Sequence, residues 1–344
     1  MKRLLALIPA LGLLLASAAV AYARPVANAD YDGDGKADMA VYRPSNSWWY
    51  ILTSRAQFLQ RGQLNLAWGN PGDVPVPGNY DGDGKTDFAV FRPSNGKWYI
   101  KESSTGNKYE KVYGTAGDVP VPADYDGDGK TDIAVWRPSN GVWYITESST
   151  GNPYQEKYGI KSDVPVQADY DGDGKADIAV FRPSNGVWYF QAAATQETWG
   201  TQGDVPVQAD YDGDRKADIA VWRPSNRVWY IVLSASGNKF QEVHGLTGDV
   251  PAPADYDGDG KADLVVWRPK DGSWGIKQSK TNTFLRHRWT VSDWIETKEG
   301  PLLDGKVSYW RPKSGGKWKI VTDANLSFPV YWGAPNDRPL PPRP

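Results

Sequence analysis

Six stretches of the chain set carboxylates at alternating positions of a nine-residue frame, a pattern whose chemistry is to hold a hard cation. They are Asp30, Asp32, Asp34 and Asp38; Asn79, Asp81, Asp83 and Asp87; Asp124, Asp126, Asp128 and Asp132; Asp169, Asp171, Asp173 and Asp177; Asp210, Asp212, Asp214 and Asp218; and Asp255, Asp257, Asp259 and Asp263. So many carboxylates in nine residues repel one another unless a cation sits among them. Oxygen donors at positions 1, 3, 5 and 9 suit calcium, which accepts six to eight oxygens in a flexible geometry. Position 7 is Lys36, Lys85, Lys130, Lys175, Lys216 and Lys261. An ammonium cannot ligate a cation, so each lysine is expected to offer its backbone carbonyl and to point its side chain at solvent. Glycines at positions 4 and 6 let the backbone wrap the ion at positive φ. A merely polar Asp-Gly turn is the plain alternative, and six recurrences argue against it. An EF-hand is excluded, because position 12 is Val41 and its counterparts rather than Glu. Up to six structural calcium ions are therefore expected. Asn79 at position 1 and Arg215 at position 6 mark the second and fifth sites as weaker.

The elements that must position these loops recur with them. In the copy around Asp124, an irregular extended segment from Val119 to Tyr125 leads into the loop. A strand rich in β-branched and aromatic residues follows from Ile133 to Arg137, with a hairpin turn at Ser139 to Gly141. A third strand runs from Val142 to Thr146, a second turn occupies Ser149 to Asn152, and a looser strand reaches Gly159. No stretch carries a helical period.

An Arg-Pro pair marks every copy, at Arg43, Arg92, Arg137, Arg182, Arg223, Arg268 and Arg311, with spacings of 49, 45, 45, 41, 45 and 43. Four strands at a period near 45 residues is the arithmetic of a propeller blade, which must bury both faces against neighbours around an axis. The fold expected is therefore all-β, a single seven-bladed propeller of four-stranded blades filling residues 24 to 344. The tail from Trp332 to Pro341 repeats the segment from Tyr113 to Pro122 in spacing, so it is expected to dock beside the first blade and close the ring. The seventh copy, from Glu299 to Arg311, is too short and too poor in acids to hold an ion.

The N-terminus reads Met1, Lys2, Arg3 and then an apolar run to Val20, with small residues at Ala21 and Ala23. This is the pattern of a secretory signal peptide cleaved after about Ala23, and the run is short for a membrane anchor. A secreted or extracellular location without a membrane span is expected. There is no cysteine, so an exported chain must tie its loops without disulfides, and metal is the available substitute. The net charge of -2 hides a partition: the six loops hold 23 of the 41 acidic residues and only seven of the 39 basic ones. The scaffold outside the loops is basic. A pI near 5.8 argues against a nucleic-acid binder.

The Asp-x-Asp-Gly-Asp-Gly-x-x-Asp loop, together with Tyr113 to Pro120 and Trp199 to Pro206, resembles the FG-GAP, or VCBS-type, repeats best known from integrin α-subunit propellers. The resemblance covers essentially the whole chain after the leader. It implies a seven-bladed propeller, calcium in the hairpin between the first and second strands of a blade, and a role in cell adhesion or ligand recognition. Similar repeats occur in a fungal propeller lectin and as modules of secreted carbohydrate-active proteins.

Function reads first as carbohydrate binding. Seventeen Trp and nineteen Tyr offer flat rings for sugars, and repeated pockets between blades would combine weak sites by avidity. Two aromatic series are nonetheless expected to fill the interfaces between blades: Trp98, Trp143, Trp188, Trp229, Trp274 and Trp318, and Phe91, Trp136, Phe181, Trp222, Trp267 and Trp310. The repeated arginines are expected to pair with Asp73, Asp118, Asp163, Asp204 or Asp249 in the following copy. The basic scaffold also permits an acidic glycan as ligand. A protein-binding surface scaffold and a polysaccharide-degrading enzyme are the alternatives, and a monomer is expected. With His244 and His287 the only histidines, and no Ser, His and Asp constellation, no catalytic residue is expected. A unique pocket, if present, belongs where the repeat is broken, between Trp48 and Trp68 or from Phe284 to Glu299.

Overall fold

The computed structural model describes residues 24–26, 29–59, 62–192 and 195–288, and the backbone of three further strands, Val307–Arg311, Lys317–Val321 and Ser327–Tyr331. The repeat folds as its pattern demands. Blade 3 is an antiparallel sheet of Val119–Pro120, Ile133–Arg137, Val142–Thr146 and Pro153–Lys157, in sequence order from one edge to the other. Its first strand is only two residues long, because Pro120 and Pro122 bracket it and a proline nitrogen cannot donate to the ladder. The second and third strands are buried, with Trp136 opposite Trp143, whereas the fourth is largely exposed. The other blades repeat this order, beginning at Arg24–Val26, Val74–Pro75, Val164–Pro165, Val205–Pro206 and Val250–Pro251.

Six blades close the ring, where seven were expected. Six apolar cores exist among the described residues, one at each blade interface, and the sixth joins the last blade to the first. It brings Met39, Val41, Tyr50 and Leu52 of blade 1 against Tyr256, Val265, Trp267 and Ile276 of blade 6. A chain of backbone hydrogen bonds repeats the same closure. In each blade the N–H at loop position 8 donates to the carbonyl at position 1 of the preceding blade: Thr86 to Asp30, Thr131 to Asn79, Ala176 to Asp124, Ala217 to Asp169 and Ala262 to Asp210. Ala37 to Asp255, at 2.7 Å, completes the circle.

The seventh copy forms a separate three-stranded sheet. Each of the six ring blades is tied to its neighbour through its Asp loop, and the sequence of the seventh copy, Glu299 to Arg311, lacks the nine-residue acid frame. The tail from 332 to 344, expected to close the ring, lies outside the described residues. The leader before Arg24 also lies outside them. No helix among the described residues is long and apolar enough to cross a membrane.

The expected aromatic packing is found within the described residues. Trp49, Trp98, Trp143, Trp188, Trp229 and Trp274 are fully buried, as are Phe91, Trp136, Phe181 and Trp222. The long first spacing has a use as well. Its extra residues form a turn in which Gln57 and Phe58 take positive φ, and Phe58 reaches across the closing seam to Tyr256 and His287, with ring centres 6.2 and 6.3 Å apart. The break in the repeat between Trp48 and Trp68 therefore fastens the seam through Phe58.

Candidate metal loops and blade clefts

Each Asp loop joins the first and second strands of its blade, and its side chains are held in a fixed pattern by backbone donors. Position 1 anchors the turn: Asp124 accepts from the N–H groups of Gly127 and Gly129 at 2.7 and 2.8 Å. Position 5 accepts from the position 7 N–H, as Asp128 does from Lys130 at 2.8 Å. Position 9 is buried and accepts twice in five of the loops: Asp132 takes the N–H of Tyr125 and that of Ser148, at 2.8 and 2.6 Å, whereas Asp177 of blade 4 is half-buried. Each carboxylate oxygen has two lone pairs, so one hydrogen bond leaves it able to ligate.

The carboxylates at positions 1, 3 and 9 converge. In Asp30, Asp32 and Asp38, in Asp124, Asp126 and Asp132, in Asp169, Asp171 and Asp177, and in Asp210, Asp212 and Asp218, one oxygen from each lies within 4.8 Å of the others. In the second loop Asn79 replaces the acid, and the group is Asp81, Asp83 and Asp87. Burial pushes the position 9 carboxyls up, to about 6 at Asp38 and Asp263, against the hydrogen bonds that lower them. Oδ1 of Asp32 and of Asp257 is buried with no hydrogen-bond partner. Crowded acids, costly burial and orphaned oxygens are what a divalent cation would relieve. The donor set fits calcium.

Hydroxyls from the turn between the third and fourth strands form an outer layer over the loop, a feature the sequence reading missed. Ser148 and Ser149 donate to Asp128 and Asp126, and Ser103 and Ser104 donate to Asp83 and Asp81. Blade 4 lacks this layer: its turn reads Gln191, Ala192, Ala193, Ala194, and among the described residues no hydroxyl reaches Asp171 or Asp173. The short spacing of 41 was the available signal. The two loops marked as weaker keep their shape differently. Arg215 holds φ at 71° so that its N–H still reaches Asp210, whereas the Asn79 amide nitrogen turns away to the carbonyl of Gly129.

Lys85 and Lys175 are exposed, as expected, and the other four lysines are half-buried. Each stem crosses position 4 of the preceding blade's loop, and Lys36 and Lys216 bond the position 3 carbonyls of Asp257 and Asp171, at 3.0 and 2.7 Å. The arginines pair with aspartates, but with those of their own blade, 19 residues earlier. Arg182 grips Asp163 through Nε and Nη2 at 2.7 and 2.9 Å and donates to the Tyr189 hydroxyl through Nη1. The expected pairing with the following copy is thus shifted by one blade, because the segment carrying the Asp supplies the first strand beside the arginine's own strand. Arg43 has no aspartate 19 residues earlier, where the sequence reads Arg24, and it stacks on Tyr50 at 5.2 Å.

Between blades 3 and 4 a cleft of about 150 Å³ is lined by Tyr158, Gly159, Ile160, Val180, Arg182 and Tyr189. The same residue types recur at other interfaces, as Tyr113, Arg137 and Tyr144 or as Trp199, Arg223 and Tyr230. At the interface of blades 5 and 6, His244 takes the aromatic place and Gly275 the tyrosine place. The imidazole is buried and its Nε2 lies 3.0 Å from the Gly275 carbonyl.

A model of the FG-GAP-like repeat matches residues 30–90, 79–135, 124–180 and 210–266, and the chain belongs to this family. No curated protein matches it. Among solved structures it is similar to a catalytically inactive virginiamycin B lyase from Staphylococcus aureus with quinupristin, at 12% identity and a TM-score of 0.51, covering 89% of this chain and 94% of that one. A streptogramin B lyase is similar at 10% identity and a TM-score of 0.50, covering 88% and 92%. An Agrocybe aegerita lectin that recognises non-reducing terminal N-acetylglucosamine is similar at 15% identity and a TM-score of 0.49, covering 79% and 81%. The two lyase likenesses speak to the propeller fold alone.

Proposed function

We propose that this chain is a secreted recognition module whose Asp loops take up to six calcium ions and whose blade clefts bind carbohydrate. The observation that carries the reading is the Tyr158, Arg182 and Tyr189 cleft between blades 3 and 4. It joins two aromatic rings to a guanidinium already fixed by Asp163, so a sugar would meet a preorganised wall without ordering a mobile arginine. The Tyr189 hydroxyl accepts from Arg182 and from Asn185, which leaves its own proton free to donate to a ligand. At about 150 Å³ the cleft is smaller than the ~300 Å³ at which drug-sized sites begin, and suits one terminal sugar residue. Bound calcium would neutralise the Asp loops, which lie at the other end of the strands from the cleft residues, and stiffen the blades that form the clefts. Binding is favoured over catalysis because both histidines are engaged elsewhere: His244 at the Gly275 carbonyl, and His287 against Phe58.

A glycan array read with calcium and with chelator tests this. The calcium-loaded protein is expected to retain a defined set of glycans. Tyr189→Ala should weaken one monovalent site at least tenfold while the fold, followed by circular dichroism, is unchanged. Silence of the calcium-loaded wild type across neutral and acidic glycans would overturn the carbohydrate reading.

A further inference from the structure

We propose that the lysine at position 7 of each loop is the counter-ion of the preceding loop in the ring, and that it sets how tightly that loop takes its cation. This rests on the calcium reading above. A position that ligates through its backbone carbonyl places no demand on the side chain, yet all six loops carry lysine there. The contact is made six times. A Cβ added to Gly33 would lie 2.8 Å from Cε of Lys85, one on Gly82 would lie 2.7 Å from Cε of Lys130, and one on Gly172 would lie 2.8 Å from Cε of Lys216. Gly127 meets Lys175 and Gly213 meets Lys261 in the same way, and Gly258 meets Lys36 at 2.6 Å across the closing seam. Position 4 is glycine for its positive φ, and the neighbour's lysine stem packs over it.

The ammonium groups of Lys36 and Lys216 end at the backbone of the preceding loop, and none of the six lysines forms an ion pair with that loop's carboxylates among the described residues. Where a bond is made, at Lys36 and Lys216, the acceptor is the carbonyl of Asp257 or Asp171, residues whose carboxylates stand at position 3 of the neighbouring loop. A fixed positive charge there attracts the acids of a metal-free loop and opposes an entering cation. The lysines therefore stabilise the empty ring and weaken calcium binding, each acting on the blade before its own.

Lys36→Met keeps the stem and removes the charge, and Lys36→Arg keeps the charge. In chelator, Lys36→Met is expected to melt below the wild type, by a gap that closes as sodium chloride is raised. In saturating calcium the gap should vanish. By calorimetric titration, Lys36→Met with Lys216→Met should show two sites tightened about two- to fivefold, the range of a partly screened charge pair, whereas Lys36→Arg should follow the wild type. A melting temperature unchanged in chelator, or a fall that is equal with and without calcium at every salt concentration, would overturn the proposal in favour of packing alone. A wild type whose melting temperature does not rise with calcium would instead overturn the calcium reading and the affinity-setting role with it. The counter-ion role would then be decided by the salt dependence in chelator.

Discussion

His244 shows how one side chain departs from a repeat without altering its job. Its counterparts Tyr113, Tyr158 and Trp199 fill the same interface, and Trp199 donates to the carbonyl of Tyr230 much as the imidazole meets that of Gly275. The imidazole also packs edge-on against Phe284. Burial holds its pKa below the ordinary histidine value. A depressed folded pKa means that the unfolded chain takes up the proton first, so this group's contribution to stability is present above about pH 6.5 and is lost as pH falls through the folded pKa. His244→Tyr, which copies the residue in blades 2 and 3, should flatten the fall in melting temperature between pH 7 and pH 5. Equal slopes in variant and wild type would refute this. The arginines work by the same economy of contacts. Asp73, Asp118, Asp163, Asp204 and Asp249 are almost wholly buried, and each is held by two guanidinium nitrogens while its arginine stays partly open to the surface.

At the scale of the element, the blade was readable because its signals are local. The valine and aromatic run from Ile133 to Arg137, the Asn140 and Gly141 turn and the Pro120 and Pro122 bracket each act within a few residues, and the observed strands fall where they point. The serine layer over the loops was not readable in this way, since Ser148 and Ser149 lie 20 and 23 residues from their aspartates. The turn carrying Phe58 is another case: nothing near it names Tyr256 as its neighbour. Phe58 takes a positive φ, an unfavourable conformation for an aromatic residue that its packing across the seam offsets. Phe58→Ala should therefore lower stability by about 1–2 kcal/mol, measured by denaturant titration. A loss below the error of that titration would show that the turn does not fasten the ring.

For the whole molecule, six interfaces of nearly one composition are joined in a circle, and the seam of blades 1 and 6 is made like the others, with a buried core, a loop-to-loop hydrogen bond and a lysine crossing. A chain ending at Arg288 contains every element of that circle. It should fold as a monomer with calcium-dependent melting close to that of the full chain, as followed by circular dichroism and size-exclusion chromatography. Aggregation, or a melting temperature lower by more than ~10 °C, would mean that the seventh copy or the tail belongs to the ring after all.

By itself the sequence determined the blade, its four strands, the six acid loops and the aromatic residues that fill the interfaces, because each is written in spacing that local physics enforces. It could not determine how many blades meet. Repeated copies offer nearly the same faces, so the count is decided by which loops can both donate to one neighbour and accept from the other. Only the tertiary structure brought Ala37 to Asp255, Lys36 to Asp257 and Phe58 to Tyr256, more than two hundred residues apart or nearly so, and closed the ring at six.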